Sequence, residues 1–92
     1  MSEALPLSLK LRVITSREVL VDEQVKEVSI PSLEGYLGIL PGHRSLLVAL
    51  GKGVIEYRNS QSKKHVAVKG GYARVHPESV LVFTDSDEDE LR

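Results

Sequence analysis

Leu33-Glu34-Gly35-Tyr36-Leu37-Gly38-Ile39-Leu40-Pro41-Gly42-His43 is the stretch on which the reading of this chain turns. Three glycines and a proline interrupt Tyr36, Leu37, Ile39 and Leu40, so no long helix forms here. Glycine serves where φ is positive or where two backbones approach closely, and Pro41 sets φ and removes a donor. The pattern predicts a short strand, Tyr36 to Leu40, between tight turns at Glu34-Gly35 and Pro41-Gly42. Its apolar tip needs cover.

Outward from that stretch, toward the N-terminus, Val25 to Ile30 reads as a strand ended by Pro31, and Val19-Leu20-Val21 as a shorter one turned by Asp22-Glu23. Leu7, Leu9, Leu11 and Val13 alternate with Ser8, Lys10 and Arg12, the period of a half-buried strand. Toward the C-terminus, Leu46 to Leu50 is apolar on both faces and reads as a strand end sunk in the core. Val54 to Asn59 and Lys64 to Lys69 read as hairpin arms around a polar tip, with Gly70-Gly71 as a bend or bulge. Tyr72 to His76 and Ser79 to Thr84 form a last hairpin through Pro77-Glu78. No segment of ten or more residues has a 3.6-residue period. Short strands between regular turn signals predict an all-β sandwich or barrel. With one Phe and no Trp, its core is built from Leu, Val and Ile.

Ninety-two residues suit one domain, divided as a tail over 1–6, a β-domain over 7–85 and an acidic tail over 86–92. With no cysteine there is no disulfide, thiolate metal site or cysteine nucleophile, which fits a reducing compartment. The longest apolar run, Leu46 to Leu50, falls far short of a membrane span. Met1-Ser2-Glu3 has neither the basic nor the apolar region of a secretory signal, so a soluble cytosolic protein is expected. Asp85, Asp87, Glu88, Asp89 and Glu90 crowd the last eight residues beside Arg92. Removing them from the 13 acids and 12 bases leaves 8 and 11, too weak and scattered a surplus for a nucleic-acid stripe.

Catalysis finds no constellation. His43, His65 and His76 stand apart on a loop and two strands, and no Ser sits in a Gly-x-Ser-x-Gly elbow. No helix follows the glycine-rich loop to aim amides at a phosphate. Tyr36, Tyr57, Tyr72 and Phe83 are too few to serve as platforms for sugar or bases. Taken singly, His43 reads as a turn histidine bonded to backbone, Glu34 as a solvated turn residue and Tyr36 as a half-buried strand residue. An interaction module is the class that remains.

The run Glu34 to His43, followed by Leu46-Leu47 and Gly53-Val54-Ile55, resembles the epsilon subunit of F-type ATP synthases. Leu11-Arg12-Val13-Ile14-Thr15 is similar to that family's first strand, and Lys69-Gly70-Gly71-Tyr72-Ala73-Arg74-Val75 to a later strand pair. The likeness runs collinearly from about Leu9 to Asp85. It implies a flattened β-sandwich of about ten strands, without chemistry of its own, at the foot of the central rotor stalk. Its partners there would be the gamma subunit and the c-subunit ring, on the cytoplasmic face of a bacterial inner membrane. An unrelated β-sandwich module that binds a ligand or protein is the alternative.

Carried over by position, the resemblance implies that Glu34, Tyr36, Leu37, Ile39 and Leu40 lie toward the ring. His43 and Thr15 fall where the family approaches its partners. Tyr36 stands where an acid is common, replacing charge pairing by an amphipathic aromatic contact. Arg44-Ser45 stands where Ala-Pro is common and adds a cation beside His43. The family's C-terminal helical hairpin, with its inhibitory switch and, in some members, an ATP site, has no counterpart here. No nucleotide or other cofactor is therefore expected, and the sequence fits a naturally short form and an excised domain alike.

Overall fold

In the computed structural model, which describes residues 6–85, Leu9, Leu11 and Val13 are wholly buried while Lys10 and Arg12 are exposed. That alternation makes β1 (Leu9–Ile14), and the same rule makes β8 (Ser79–Asp85), which buries Val80, Val82 and Thr84. Between them run β2 (Val19–Val25), β3 (Glu27–Ser32), β4 (Gly35–Ile39), β5 (Leu46–Ala49), β6 (Lys52–Arg58) and β7 (Lys63–His76). No helix occurs among the described residues. The expected tail over 86–92 and residues 1–5 lie outside them.

Eight strands stand where about ten were expected. One strand of that difference comes from β7, a single 14-residue strand across what reads in the sequence as two arms broken at Gly70-Gly71. Its first half pairs with β6, from Arg58↔Lys63 to Lys52↔Lys69. Its second half pairs with β8 on one side and β5 on the other. One layer is therefore β2-β1-β8-β7-β5, the other β7-β6-β3-β4, with β7 turning the corner between them. β1 and β8 are parallel; every other strand pair is antiparallel. The aliphatic core, with Leu9, Leu11, Ile30, Ile39, Ile55 and Val82 fully enclosed, lies between the layers.

A bulge makes the corner. The β7–β8 register shifts between Lys69↔Asp85 and Tyr72↔Phe83, so Gly70 and Gly71 together oppose Thr84. Thr84 is the one buried polar side chain among the described residues. Its hydroxyl accepts from the Lys69 N–H at 3.1 Å and donates to the Gly70 carbonyl at 2.7 Å. The corner then reaches the next strand, as the Gly70 N–H bonds to the Gly51 carbonyl and the Leu50 N–H to the Gly71 carbonyl. Gly71 has φ +102°, and a Cβ there would lie 1.9 Å from the Phe83 carbonyl oxygen.

Three other expectations are corrected. Asp22-Glu23 does not turn the chain; β2 continues through it to Val25. The reason is cross-strand pairing, since Asp22 sits opposite Arg12 and takes Lys10 at 2.9 Å and Arg12 at 3.8 Å. Pro31 does not end its strand, because β3 runs on to Ser32 with the Pro31 carbonyl accepting from the Gly51 N–H at 2.9 Å. Leu46 to Leu50 is not uniformly sunk; Val48 and Leu50 are buried, but Leu47 is 68% exposed. The turn at Glu34, the polar tip from Asn59 and the Pro77-Glu78 turn are where the sequence puts them. At the polar tip, the Asn59 side-chain oxygen accepts from the Gln61 and Ser62 amides at 2.8 and 2.9 Å.

Two outcomes follow from this architecture. Gly71→Ala combines a disfavoured φ with a backbone overlap and should cost about 3 kcal/mol or more in urea unfolding. A variant within about 0.5 kcal/mol of the parent would show that the corner tolerates a Cβ. The hydrogen bond from Lys10, helped by the charges of Lys10 and Arg12, holds the Asp22 carboxyl below its ordinary pKa. A depressed folded-state pKa gives stability that is present above the unfolded value and lost as pH falls through the folded one. Asp22→Asn should therefore narrow its stability gap to the parent as pH drops below the ordinary aspartate range.

Candidate partner-binding surfaces

Two apolar surfaces emerge from the strand registers. The first is a groove of about 500 Å³ between the β3–β4 hairpin and β5, lined by Ser32 to Leu37 and Leu46 to Ala49. Leu33, Tyr36 and Leu47 stand on it 70%, 62% and 68% exposed, while Leu37 and Leu46 are partly buried against the core. Glu34 is its one charged residue. The Ser32 hydroxyl closes the two-residue turn, accepting from the Glu34 N–H at 3.1 Å and donating to the Gly35 carbonyl.

Tyr36 is fixed across the sheet. It lies opposite Pro31 in the β3–β4 ladder. The β3–β6 ladder stops at Ser29↔Glu56, two residues short of Val54, and the Tyr36 hydroxyl accepts the Val54 N–H at 3.2 Å. The seat is Gly53, where a Cβ would lie 2.8 Å from the Tyr36 hydroxyl and 2.9 Å from Pro31 Cβ. The hydroxyl thus reaches across β3 to β6 while much of the residue stays in water.

The second surface is the outer face of the five-stranded layer. Val19, Ile14, Phe83, Tyr72 and Ala49 stand in register as one row across all five strands. The Tyr72 and Phe83 rings are tilted at 43° with centroids 5.1 Å apart. The next row carries Asp22, Arg12, Leu81, Arg74 and Leu47. Arg74 has no carboxylate partner among the described residues, so this face is apolar with a cationic margin.

The eight residues expected to meet partners do not form one patch. Glu34 and Tyr36 sit on the groove, with Leu37 on its floor. Ile39 is 0% exposed, a core residue with no surface to offer, while Leu40 is 59% exposed just past β4. His43 and Arg44 lie beside the C-terminal end of β7. There the Gly42 N–H bonds to the Pro77 carbonyl, and Ser45 Oγ is 3.2 Å from His76 Nδ1. The His43 ring is used locally, Nδ1 lying 2.8 Å from the Arg44 carbonyl oxygen. Thr15 flanks the aromatic row beside Ile14, Tyr72 and Phe83. Its hydroxyl accepts from the Arg17 and Glu18 amides at 3.0 and 3.1 Å, a turn-forming role. Leu33, Leu47, Tyr72 and Phe83 are the surface residues missed by sequence reasoning. The available signal was alternation in Tyr72–His76 and Ser79–Thr84, which turns these rings outward.

No group of three or more His, Asp or Glu side chains capable of holding a metal occurs among the described residues. Residues 8–90 match the family model described as the β-sandwich domain of the ATP synthase delta/epsilon chain. The chain belongs to that family. It is 44% identical over 84 residues to the ATP synthase epsilon chain of Solibacter usitatus, covering 91% of this chain and 63% of that one. The ATP synthase epsilon chain of Synechococcus sp. (strain WH7803) is 44% identical over 82 residues, covering 89% and 60%. The chain thus spans about three fifths of the length of these curated relatives. In fold it resembles a chain in the Euglena gracilis mitochondrial ATP synthase structure of OSCP, F1 and c-ring. That likeness has a TM-score of 0.82 at 24% identity, covering 99% of this chain and 63% of the other. Membership of the delta/epsilon family leaves the unrelated-module alternative without support.

Within this family member, the Tyr36 seat can be tested directly. Tyr36→Phe should cost about 1 kcal/mol by leaving the Val54 N–H without its acceptor. Gly53→Ala should cost roughly 1–3 kcal/mol by crowding Tyr36 and Pro31. Part of the Gly53→Ala cost should vanish in the Tyr36→Phe background, read from a double-mutant cycle in urea. Strict additivity would mean that the hydroxyl and Gly53 do not share a seat.

Proposed function

We propose that this chain is a non-catalytic subunit of the central stalk of an F-type ATP synthase, binding the gamma subunit and the c-subunit ring. On this reading it is peripheral to the membrane, held there through the complex on the cytoplasmic side. The observation that carries the reading is the pair of separate apolar surfaces on a sandwich of this family. A subunit clamped between two partners needs two such faces joined by a stiff body. The corner strand β7 supplies the joint, because both layers share its backbone. Torque applied to one face therefore loads the ladders of the other, without a hinge between them.

The groove, with its single charge, suits an apolar partner surface, whereas Arg74 on the margin of the outer face favours a partner carrying an acid at its rim. Leu47 borders both surfaces and is the residue whose loss should cost most. Ile39 belongs to the fold rather than to either interface.

A pull-down with purified gamma subunit tests this reading. Leu47→Asp should weaken binding by about 2 kcal/mol or more, and Lys63→Ala, an exposed residue away from both surfaces, by little. High salt should leave most of the parent's binding intact, since apolar contact is the main grip. Failure of the folded parent to bind at any salt, or equal binding by both variants, would sink the assignment.

A further inference from the structure

The groove has strand edges on both sides, open along β4 and, on β5, up to Ala49, where the Leu33 N–H bonds to the Ala49 carbonyl and Ser32 bridges to Leu50. β4 pairs only with β3, and β5 only with β7. The Pro31 carbonyl points to Gly51, away from β4, so Pro31↔Tyr36 is a pair without ladder hydrogen bonds. Alternation then turns the main-chain N–H and C=O groups of Tyr36 and Gly38 outward, away from β3. On β5 the Ala49 carbonyl accepts from the Leu33 N–H and not from β7, so Ala49 and Leu47 also turn their main chain toward the groove.

Exposed edges are ordinarily blunted by charge, proline or a bulge. β2, the edge at the far side of the five-stranded layer, has all but the proline: Asp22 and Glu23 lie on it, and its register with β1 shifts at Val13/Ile14. β4 and β5 have none of these. From Gly35 to Ile39 and from Leu46 to Ala49 there is no charged residue and no proline. Both undefended edges border one apolar groove, and the defended edge does not.

We propose that the free edge of β4 receives an extended segment of a partner protein as an added strand, with alternate side chains of that segment filling the groove against Leu37 and Leu46. Main-chain bonds to Tyr36 and Gly38 supply the pairing, and the groove selects apolar residues at every second position. Gly38 keeps the outer face of β4 bare, as a Cβ there would meet nothing within 4 Å. The proposal rests on the stalk reading only for the source of the segment, not for its conformation.

Amide hydrogen exchange of the chain, alone and with each of two probes, is the test. The probes are a purified assembly of gamma subunit with c-ring and an alternating valine–threonine nonapeptide. Slowed exchange at Tyr36 and Gly38 on adding the assembly is the expected result. Gly38→Pro, which removes the outward donor at an edge position that tolerates proline, should weaken binding roughly five- to a hundredfold, while Gly38→Ala retains it. Binding that leaves those two amides unprotected, or that Gly38→Pro does not weaken relative to Gly38→Ala, overturns the added strand and leaves the stalk reading standing. Protection by the peptide while the assembly does not bind upholds the edge and removes the stalk reading; binding of neither probe removes both. Protection that rises with the chain's own concentration, together with a dimer in sedimentation, assigns the edge to a second copy and overturns the proposal. Should Gly38→Pro not fold, the exchange pattern of the parent decides alone.

Discussion

Everything in this sandwich depends on the bulge where Gly70 and Gly71 face Thr84. A strand of 14 residues that stayed straight would belong to one sheet, and the Leu and Val side chains of the two layers would never face each other. The bend requires a backbone that an L side chain would obstruct, and it leaves main-chain groups out of register inside the protein. Glycine meets the first need. The Thr84 hydroxyl meets the second, bonding groups on both sides of the irregularity where water has no access. One small polar side chain thereby stabilises a corner that an aliphatic core alone would leave unsatisfied.

With the corner in place, the two layers divide the work between their faces. Inward positions are almost wholly aliphatic, which packs well at this size but offers few hydrogen bonds to specify one arrangement. Specification comes from the surface pairs instead. Asp22 with Lys10 and Arg12, and Glu27 with Arg58 at 2.9 Å, tie neighbouring strands in one register on their solvent sides. Each exposed pair is weak in isolation, yet a slip of one residue would turn the whole buried set outward. The outer aromatic row and the groove are the places where this economy is broken and apolar side chains stand in water.

How much of this was legible in the sequence follows from the same physics. Leu9, Leu11 and Val13 announce β1 because one face is buried and the other wet. The end of β2 is hidden because Asp22 and Glu23 resemble turn residues until their partners across the ladder are known. Gly70-Gly71 reads as a break for the same reason that it works as a bend, and only the register shows that the strand continues. Family resemblance supplied the right fold, but not which way each side chain points. Ile39 and Leu47 show the limit most plainly: both are large aliphatics in strands, and the first is core while the second is surface. A surface apolar residue carries no mark distinguishing it from one kept for the interior.

The parallel pairing of β1 with β8 has a consequence for how the chain reaches this state. Lys10 pairs with Ser79, at opposite ends of the described chain, and this contact forms the middle of the five-stranded layer. The β3–β4 and β6–β7 hairpins close short loops at little entropic cost. The central ladder, by contrast, must close nearly the whole chain, with the loop entropy that this entails. During synthesis, β1 and β2 therefore wait as an incomplete layer, their apolar faces uncovered, until the last strand has left the ribosome. The domain completes itself only when its own two ends meet.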